Sequence, residues 1–523
     1  MAEQEVLLEF PEQPAVPSPR PCTADVPPSE KKLKGINRAQ LAMVTLDVEQ
    51  LIDQLHPARG IWEATTGLDL TAFESTIKSV EGSAGRSAWP PQLLVAVWLY
   101  GYSRGVTSAR ELERQMDYEP GLMWLTGLQS INHHTLSDFR IDHREALTKL
   151  FSEMLVVLNE AGLVKLNLVA HDGTKIRSQA GVDSFRREAT IREKVAQARA
   201  LVEEDPKADG GGNKREQAAR ERANRERQER TAAALKELEQ LQSNIEEEDK
   251  KARARVSVSE PEARWMKHGD KAIAPSYNAQ ISTDADSGVI VGVQLSQSAD
   301  DSHELKPALQ TIKDMTSRAP ERMVADGGYT NRSSIQEMAD AKVDFYGSLP
   351  DPTERSEAAM KSHKIDPKYA PHFFILQPET RTAMCPAGKV MRYLRLNKKR
   401  GDQYETYRAS GADCMACAYR AECCPKTAEK GRIVSFKGQE KEVIAAFRKK
   451  MKTEEGKGVY ARRGAAAEFP FAGIKERMRL RKFRLFGMAK AGMELLWACL
   501  AYNVLVWIRS RAAESTSALA PAA

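Results

Sequence analysis

This 523-residue sequence has few cysteines and few aromatic residues, and it has no large excess of one charge. Seven cysteines are too few for a disulfide scaffold in so long a chain, and aromatic residues make up only 7% of it. The 78 basic and 72 acidic residues leave a net charge of +6, which does not by itself indicate a polyanionic partner. The hydrophobic content of 41% is enough for large cores, and the length corresponds to about three domains.

Targeting and membrane-spanning signals are also missing. The segment Met1 to Glu30 has acidic residues and prolines but no basic stretch followed by an apolar one, so it resembles neither a secretory signal nor a transit peptide. The apolar stretch Met493 to Ile508 contains Glu494 and Asn503 and is shorter than the roughly 18 apolar residues that span a bilayer. We therefore predict a buried helix here and a cytoplasmic protein without membrane contact.

Shifts in composition along the chain predict four segments. The first is rich in Pro, Glu and Ser and buries too little to fold, the second has a helical pattern, and the third alternates strand and helix signals, which indicates an α/β layer. The predicted segments are a disordered tail at 1–36, a helical domain at 37–162, an α/β domain at 163–510 and a second disordered tail at 511–523.

Two insertions are predicted within the α/β domain. No aromatic residue occurs between Phe185 and Trp265, where Arg, Glu, Ala and Gln dominate, so about residues 185–262 are predicted to form a charged helical hairpin. The glycines at 210–212 would form its turn. One apolar stripe would join its helices, namely Leu235, Leu238, Leu241 and Ile245. The second insertion, residues 376–433, contains most of the cysteines.

Two capping patterns in the helical domain are compatible with a helix-turn-helix. Ser108 to Glu111 has the spacing of a capping box, Thr135 to Asp138 offers a second helix start, and Pro120-Gly121 separates them. The second helix would present polar side chains to DNA, namely His133, His134, Ser137, Arg140 and His143. An ordinary bundle with a polar face is the alternative that we favour, because such short patterns recur by chance.

Two aspartates are each predicted to follow a strand. Leu163 to Ala170 reads as a buried strand that ends at Asp172, and a short strand near Arg322 to Ala325 leads into Asp326. Each aspartate precedes a glycine, which lets a ligand approach, and carboxylates in such places suit Mg²⁺. Each Asp-Gly pair alone is weak evidence, because the same dipeptide forms ordinary turns.

A third acid, Glu468, lies in the charged segment Tyr460 to Lys475. On a helix Phe471 and Lys475 would share its face, although Pro470 favours a kink beside it. Solvent-exposed charges are the simpler interpretation of this segment alone. Three acids that could converge on one site favour catalysis.

The segment Arg448 to Arg484, which includes Glu468, is dense in Lys and Arg with phenylalanines between them. Such a segment is typical of a groove for phosphates, and a solvated charged face is the alternative. Its overlap with Glu468 favours DNA, with Arg481, Lys482 and Arg484 as candidate contacts.

The cysteines of the second insertion have partial metal-site spacing. Cys414 and Cys417 are two residues apart as in a metal knuckle, Cys385 precedes them, and Cys423-Cys424 follows. Four of these thiolates could bind one structural Zn²⁺. The spacing is irregular, so reduced thiols without metal are nearly as well supported.

Five segments in this order make the chain similar to insertion-sequence DDE transposases with a Tyr-Arg-Glu-Lys signature. The resemblance is to the insertion sequence eleven-eighty-two type, which is related to the insertion sequence four and five superfamilies. The matching segments are Ser87 through Arg140, His171 through Arg177, Ala325 through Tyr329, Tyr460 through Lys475, and Arg481 through Gly487.

This resemblance implies an RNase-H-like mixed-sheet core in which Asp172, Asp326 and Glu468 hold two Mg²⁺ or Mn²⁺ ions. It also implies that Tyr460, Arg463 and Lys475 contact DNA phosphates, with Arg462 as an alternative to Arg463. In the family, water first cuts the ends of the element, and the freed 3′-hydroxyl then attacks target DNA.

The sequence therefore predicts a DNA transposase acting on terminal inverted repeats and target DNA, as a homodimer or higher oligomer on the bacterial nucleoid. Two alternatives remain: a non-catalytic or domesticated DNA-binding protein derived from a transposase, and a hydrolytic RNase-H-like nuclease.

Overall fold

Helices make up the N-terminal part of the protein. The computed structural model describes residues 45–77, 87–204, 214–349, 360–399, 402–437 and 442–518, so the predicted tail at 1–36 lies outside the described residues. The helices are Pro57–Thr66, Pro91–Ser103, Ala109–Gln115, Pro120–Thr126, His133–Asp142 and Arg144–Glu160. One 3₁₀ turn, Val48–Gln50, precedes them, and another, Thr71–Thr76, lies between the first two. Three begin with proline, whose fixed φ suits a first turn. The helical pattern is confirmed in the described part of 37–162.

The predicted turn between the two capped helices is itself a helix. Ser108 caps the first helix as predicted, its hydroxyl accepting a hydrogen bond from a backbone amide. The proline-glycine pair after it begins the helix Pro120–Thr126. The helix expected from Thr135 begins two residues earlier at His133, because Asn132 caps it. Three short helices therefore replace the predicted pair.

A mixed sheet lies at the centre of the protein. The strands in the first two thirds of the chain are β1 Val169–Arg177, β2 Phe185–Arg186, β3 Val256–Ser257, β4 Arg264–Lys267, β5 Ile273–Asp284, β6 Ile290–Ser296, β7 Arg322–Ala325 and β8 Asp344–Gly347. Six of these strands form the central sheet, in the order β4-β5-β1-β7-β8 with β6 also paired to β5, whereas β2 and β3 pair with each other. Strands β1, β5 and β6 are antiparallel, whereas β7 and β8 continue parallel to β1. Helices Leu305–Thr316 and Arg332–Asp340 precede and follow β7.

One predicted strand was placed wrongly. The sequence also predicts a hairpin with strands at 276–283 and 288–295 and its turn at Asp286 to Gly288, and β5, β6 and β7 lie close to their predicted positions. The strand expected at 163–170 instead covers Val169–Arg177, because its antiparallel pairing with β5 continues to Arg177. Asp172 therefore lies within a strand rather than at its end.

A long helix, Met488–Ala518, packs between the N-terminal helices and the central sheet. Asn503 on this helix donates to and accepts from the backbone of Ile290 on β6, at 2.8 and 2.9 Å. Within the described ranges it is the one helix long and apolar enough to cross a membrane, and 78% of that stretch is buried inside the protein, as a core helix requires. The helix includes residues 511–518 of the predicted tail, and the last five residues lie outside the description.

The charged helical segment has its own small core. Helices Glu188–Glu204 and Lys214–Ser243 pack together, and a short helix, Glu248–Arg253, follows. Of the predicted stripe, Leu238 is fully buried, with Leu235 and Leu241 packed against the same cluster. Its predicted glycine turn at 210–212 lies outside the described residues.

The cysteine-containing segment forms a second sheet. Its strands are β9 Ile375–Gln377, β10 Thr382–Met384, β11 Val390–Lys399, β12 Asp402–Arg408 and β13 Ile433–Lys437, all antiparallel in the order β13-β12-β11-β10-β9. The strands are flanked by three 3₁₀ turns, Pro367–Tyr369, Pro371–Phe373 and Ala428–Lys430. Two short helices, Gly411–Met415 and Arg420–Cys423, also lie beside them. The chain then continues through helices Glu442–Lys452, Glu454–Ala461 and Arg463–Ala472 and a π-helical turn, Gly473–Arg477.

Candidate active site

The pairing of β1 with β7 brings the first two acids together. The strands are parallel, with Ala170 opposite Val324 and the next residue pair also in register. Continuing that register by one more position places Asp172 level with Asp326. Side chains two residues apart in a strand point to the same face, so Asp172 lies on the face of Ala170, and Asp326, directly after β7, continues the face of Val324.

Asp172 is a partly buried carboxylate that is difficult to ionise. Its side chain is 23% exposed. Burial, the largest cause, raises the pKa of Asp172 to about 6, and the negative charges of Asp326 and Asp301 add to that rise. A hydrogen bond from the amide of Gly173, at 2.8 Å, and the guanidinium of Arg463 act in the opposite direction. Such a site favours a positive ligand near the carboxylate.

Asp326 is oriented by the turn that follows β7. Its Oδ1 accepts a hydrogen bond from the backbone amide of Gly328 at 2.7 Å, and its carbonyl accepts one from the hydroxyl of Thr330 at 2.8 Å. These bonds hold the carboxylate at the strand end where the sequence predicted it.

The helix Arg463–Ala472, called the signature helix below, covers the same face of the sheet. It packs against β1 and β5, and its Ala467 belongs to a buried cluster with Ala170 and Val324. The side chain of Glu468, the next residue, is exposed. No group of three or more His, Cys, Asp or Glu side chains in the described ranges is placed to hold a metal ion. The structure thus brings the two aspartates together and the helix of the third acid beside them, without closing a three-acid site.

Of the two candidate arginines, Arg463 is the one beside the carboxylates. Its Nη1 lies 3.7 Å from Oδ2 of Asp172. Arg462 points elsewhere and forms an ion pair with Asp286 at 2.5 Å. Tyr460 packs, partly buried, against the cluster that contains Ala467. Which of the two arginines lies beside Asp172 depends on the orientation of the helix, and the sequence does not show that orientation.

Lys475 reaches the site from the π-helical turn that follows the signature helix. Pro470 lies inside the signature helix, which does not end there. The ammonium of Lys475 hydrogen-bonds the hydroxyl of Thr174, two residues beyond Asp172 on β1. Burial is the main cause that lowers the pKa of Lys475, with the charge of Arg481 adding to it. This lysine places positive charge next to the two aspartates.

A buried polar network on the opposite face of β1 was missed from the sequence. Nδ1 of His171 bonds Ser282 at 2.8 Å, and its Nε2 bonds Oε1 of Gln280 at 2.9 Å. The hydroxyl of Tyr329 donates to the same oxygen at 2.7 Å. Burial lowers the pKa of His171 to about 4, so the ring is neutral. The signal was present in the buried stretch of β5, where alternate residues are polar, namely Ser276, Asn278, Gln280 and Ser282.

This network continues to Asp301, which lies beyond β6. Asp301 accepts hydrogen bonds from Asn278 at 2.6 Å, Gln280 at 3.0 Å and the ammonium of Lys175 at 3.1 Å. Because β1 and β5 are fixed through these side chains, the network holds β1 in position behind Asp172.

The predicted DNA contact of Arg140 is not retained, because the side chain is buried. Arg140 is 5% exposed, donates to the carbonyl of Thr107 at 2.7 Å and stacks 4.5 Å from the ring of Trp98. Arg484 is exposed but donates to the Thr107 hydroxyl at 2.7 Å. Arg484 therefore joins the N-terminal helices to the segment after the π-helical turn, whereas the contacts of Arg140 lie within the N-terminal helices.

The other two basic candidates remain at the surface. Arg481 is exposed and forms an ion pair with Glu476. Lys482 is exposed on a segment that forms a single parallel bridge with Arg177 of β1. Both are available for a phosphate.

Five cysteines of the second sheet line one small cavity of about 30 Å³, namely Cys385, Cys414, Cys417, Cys423 and Cys424. The sulfurs of Cys385 and Cys414 each accept a hydrogen bond from a backbone amide at 3.3 Å. Burial raises the pKa of the Cys423 thiol to about 11 and also raises that of Cys414. The five thiols are free, and none is arranged with two others as a ready metal site within the described chain.

Comparison with known families gives two matches on either side of the aspartates. Residues 46–142 match the family described as Transposase domain (DUF772), and residues 384–507 match the family described as Transposase DDE domain. The second match includes Glu468, whereas Asp172 and Asp326 lie between the two. No curated protein and no solved structure matches the chain. The two matches support an insertion-sequence transposase family, whose DDE domains generally use divalent metal ions, and the mixed α/β fold with helical N-terminal region fits such a protein.

Proposed function

We propose that this chain is a transposase of the insertion sequence eleven-eighty-two type that cuts DNA at the ends of its element and joins them to target DNA. The observation that carries the proposal is the register of β1 and β7, which sets Asp172 level with Asp326 beneath the signature helix. The antiparallel strands β1, β5 and β6, followed by the parallel β7 and β8, support an RNase-H-like core. Two transposase-family matches flank this sheet in the sequence.

The residues present suit a hard divalent cation such as Mg²⁺. Asp172 and Asp326 offer carboxylate oxygens, and the raised pKa of Asp172 reflects burial and a neighbouring negative charge that a cation would offset. Glu468 would be the third ligand, from the helix that covers the same face. Bound divalent ions supply activation of the attacking oxygen and charge neutralisation on the leaving oxygen.

The cationic side chains around the carboxylates would bind and orient the DNA backbone. Arg463 lies beside Asp172, and Lys475 is anchored on Thr174, so both place charge where a scissile phosphate would approach. Arg481 and Lys482 extend this positive surface along the following segment. Tyr460 would support the signature helix from its packed position.

Strand transfer by the full chain in Mg²⁺, with oligonucleotides that carry the element's ends, tests this proposal. Asp172→Asn, Asp326→Asn and Glu468→Gln are each expected to abolish both cleavage and joining, because amides bind divalent ions far less well. Glu454→Gln is the matched control, because Glu454 is an exposed acid on the preceding helix that pairs with Lys457, and this variant is expected to retain activity. Normal activity of any of the three site variants contradicts the assignment.

The assay also separates the alternatives. A hydrolytic nuclease would cleave without joining, and a domesticated DNA-binding protein would bind the ends without cleaving them. Salt-dependent binding with cleavage and joining supports a transposase.

We further propose that the cysteine cavity binds one structural Zn²⁺. The lining of one small cavity by five thiols, and the two amide-to-sulfur hydrogen bonds, support this. Binding would require deprotonation against the raised pKa of Cys423 and a small movement of the thiols. Metal analysis of the purified protein is expected to give one zinc per chain, lost in Cys414→Ser. Absence of zinc, with unfolding unaffected by chelator, contradicts the proposal.

A further inference from the structure

A large cavity lies in the second sheet, among residues that the catalytic proposal does not use. It is a groove of about 1160 Å³ between the 3₁₀ turns Pro367–Tyr369 and Pro371–Phe373, the edge strand β13 and the turn that follows Cys424. A volume of this size suits a ligand larger than an ion or a single small metabolite. Asp172, Asp326 and Glu468 do not line it.

The charged side chains along this groove are all of one sign. Five cationic residues line it, namely Lys368, Arg408, Lys426, Lys430 and Arg432, together with His363 and His372. Its lining, as far as the chain is described, includes no Asp or Glu. The whole sequence has nearly equal numbers of basic and acidic residues, so this lining departs from the rest of the chain. The charge of Lys368 is paired with Glu422 outside the groove, at 2.6 Å. The other four cationic residues still make the groove complementary to a negatively charged ligand.

The same groove has exposed aromatic and apolar surface. Phe373 at its edge is 50% exposed, with the ring of His372 centred 4.2 Å from its own. Ile433, at the start of β13, is 40% exposed, and Tyr404 and Phe436 also contribute to the wall. An exposed ring next to cations is the arrangement on which unpaired bases stack while their phosphates are neutralised.

Arg432 supplies a separate indication of a ligand. Its Nη2 donates to the carbonyl of Tyr369 at 3.3 Å, and its guanidinium lies 5.9 Å from the ring of Phe374. Its Nε is buried and has no hydrogen-bond partner within the described residues. A buried donor without a partner is costly, so a movement of the guanidinium toward a phosphate oxygen in the groove would be favoured by the bond that Nε gains.

We propose that this groove binds a segment of single-stranded DNA, with a base stacked on Phe373 and phosphates on Lys426, Lys430 and Arg432. A duplex hides its base faces and would use only the cations, and an acidic peptide has a flat ring only at its aromatic residues, whereas every nucleotide of a single strand carries both a base and a phosphate. The site goes beyond the proposed catalysis, because it lies in the second sheet and requires no metal ion. Its occupant would be a strand that is unpaired near an element end.

Fluorescence anisotropy with labelled twelve-residue oligo-dT, in EDTA so that no cleavage occurs, tests the proposal in the full chain. Phe373→Ala is expected to weaken binding about 5- to 100-fold, as loss of one stacked base does, and to leave duplex binding unchanged. The matched control is Ile375→Ala, which removes a side chain that is 63% exposed two residues further on and lies outside the groove. It is expected to bind oligo-dT like the parent.

Charge is tested with a second matched pair of variants. Lys426→Gln with Lys430→Gln removes two groove lysines, and is expected to reduce the slope of log affinity against log salt by about 1.4, since each phosphate on a single strand contributes roughly 0.7. Lys361→Gln with Lys364→Gln removes the same charge from exposed positions nearby that do not line the groove. This control is expected to keep the parental slope.

Three results would overturn the proposal. One is unchanged oligo-dT affinity in Phe373→Ala, and a second is equal loss in each variant and its control. The third concerns competition by heparin, a polyanion without bases. If the same heparin concentration displaces oligo-dT from the parent and from Phe373→Ala, the ring does not contribute to binding. These readouts do not depend on cleavage, so catalytic failure of the Asp172 variants leaves them interpretable.

Discussion

Replacing Asp172 by asparagine should stabilise the protein while it abolishes the proposed activity. Folding raises the pKa of Asp172 from 3.8 to about 6. The charged form of this side chain therefore lowers the free energy of unfolding by about 3 kcal/mol at most. An amide of the same shape removes the charge, and with it the repulsion from Asp326 and Asp301. The gain in unfolding free energy is expected to be up to about 3 kcal/mol at pH 8.

The pH dependence of this gain has a definite sign. A carboxyl with a raised pKa binds more protons when folded, so its penalty is absent below about pH 4, grows between about pH 4 and pH 6, and is constant above. Thermal unfolding in EDTA at pH 8 and at pH 4 measures it. Asp172→Asn should exceed the parent only at the higher pH, and added Mg²⁺ should stabilise the parent more than the variant.

Glu468→Gln is the control for this experiment, because it removes a carboxylate of the same proposed site whose side chain is exposed. It should leave stability unchanged in EDTA at both pH values. If Asp172→Asn is no more stable than the parent at pH 8, or is equally stabilised at pH 4, the buried charge is not the cause and the reasoning fails. An equal gain from Glu468→Gln would point to relief of general negative charge instead.

Three further predictions test neighbouring parts of the fold. Gly173→Ala would set a Cβ 2.4 Å from the Gln280 amide and 2.5 Å from the Tyr329 hydroxyl, so we expect a loss of about 1–3 kcal/mol in thermal unfolding, whereas Gly181→Ala, with open space around it, should be neutral. Asn503→Leu removes both hydrogen bonds to the Ile290 backbone and is expected to cost about 2–4 kcal/mol in urea unfolding; a loss below 1 kcal/mol would mean that the helix and β6 separate readily. Arg463→Ala removes a charge that lowers the pKa of Asp172, so the acid limb of the cleavage pH profile should move to higher pH, and an unmoved limb would show that the contact is not electrostatic in effect.

Local patterns predicted much of the fold because they depend on interactions within a few residues. The strand signals of β5, β6 and β7, the cap at Ser108 and the charged helical pair from Glu188 follow from alternation, capping and composition. The strand containing Asp172 was misplaced because its extent is set by pairing with β5, which follows about a hundred residues later in the chain.

The candidate site was only partly predictable for the same reason. The sequence identified Asp326 at a strand end and the segment that carries Glu468, while the DNA contact expected of Arg140 failed because that side chain is buried against Trp98. The polar alternation in β5 would have revealed the network behind Asp172, had buried polar residues been sought as well as apolar ones.

Composition and local patterns specify which chemical groups this protein carries and the elements that hold them: carboxylates beside glycines, clustered cations and grouped thiols. Folding is needed to set Asp172 level with Asp326, to bring Arg463 rather than Arg462 to Asp172, and to make Asp172 hard to ionise. The physical reason is one of range. Capping and periodicity act between neighbours along the chain, whereas strand register, desolvation and charge coupling are set by segments that meet only after folding.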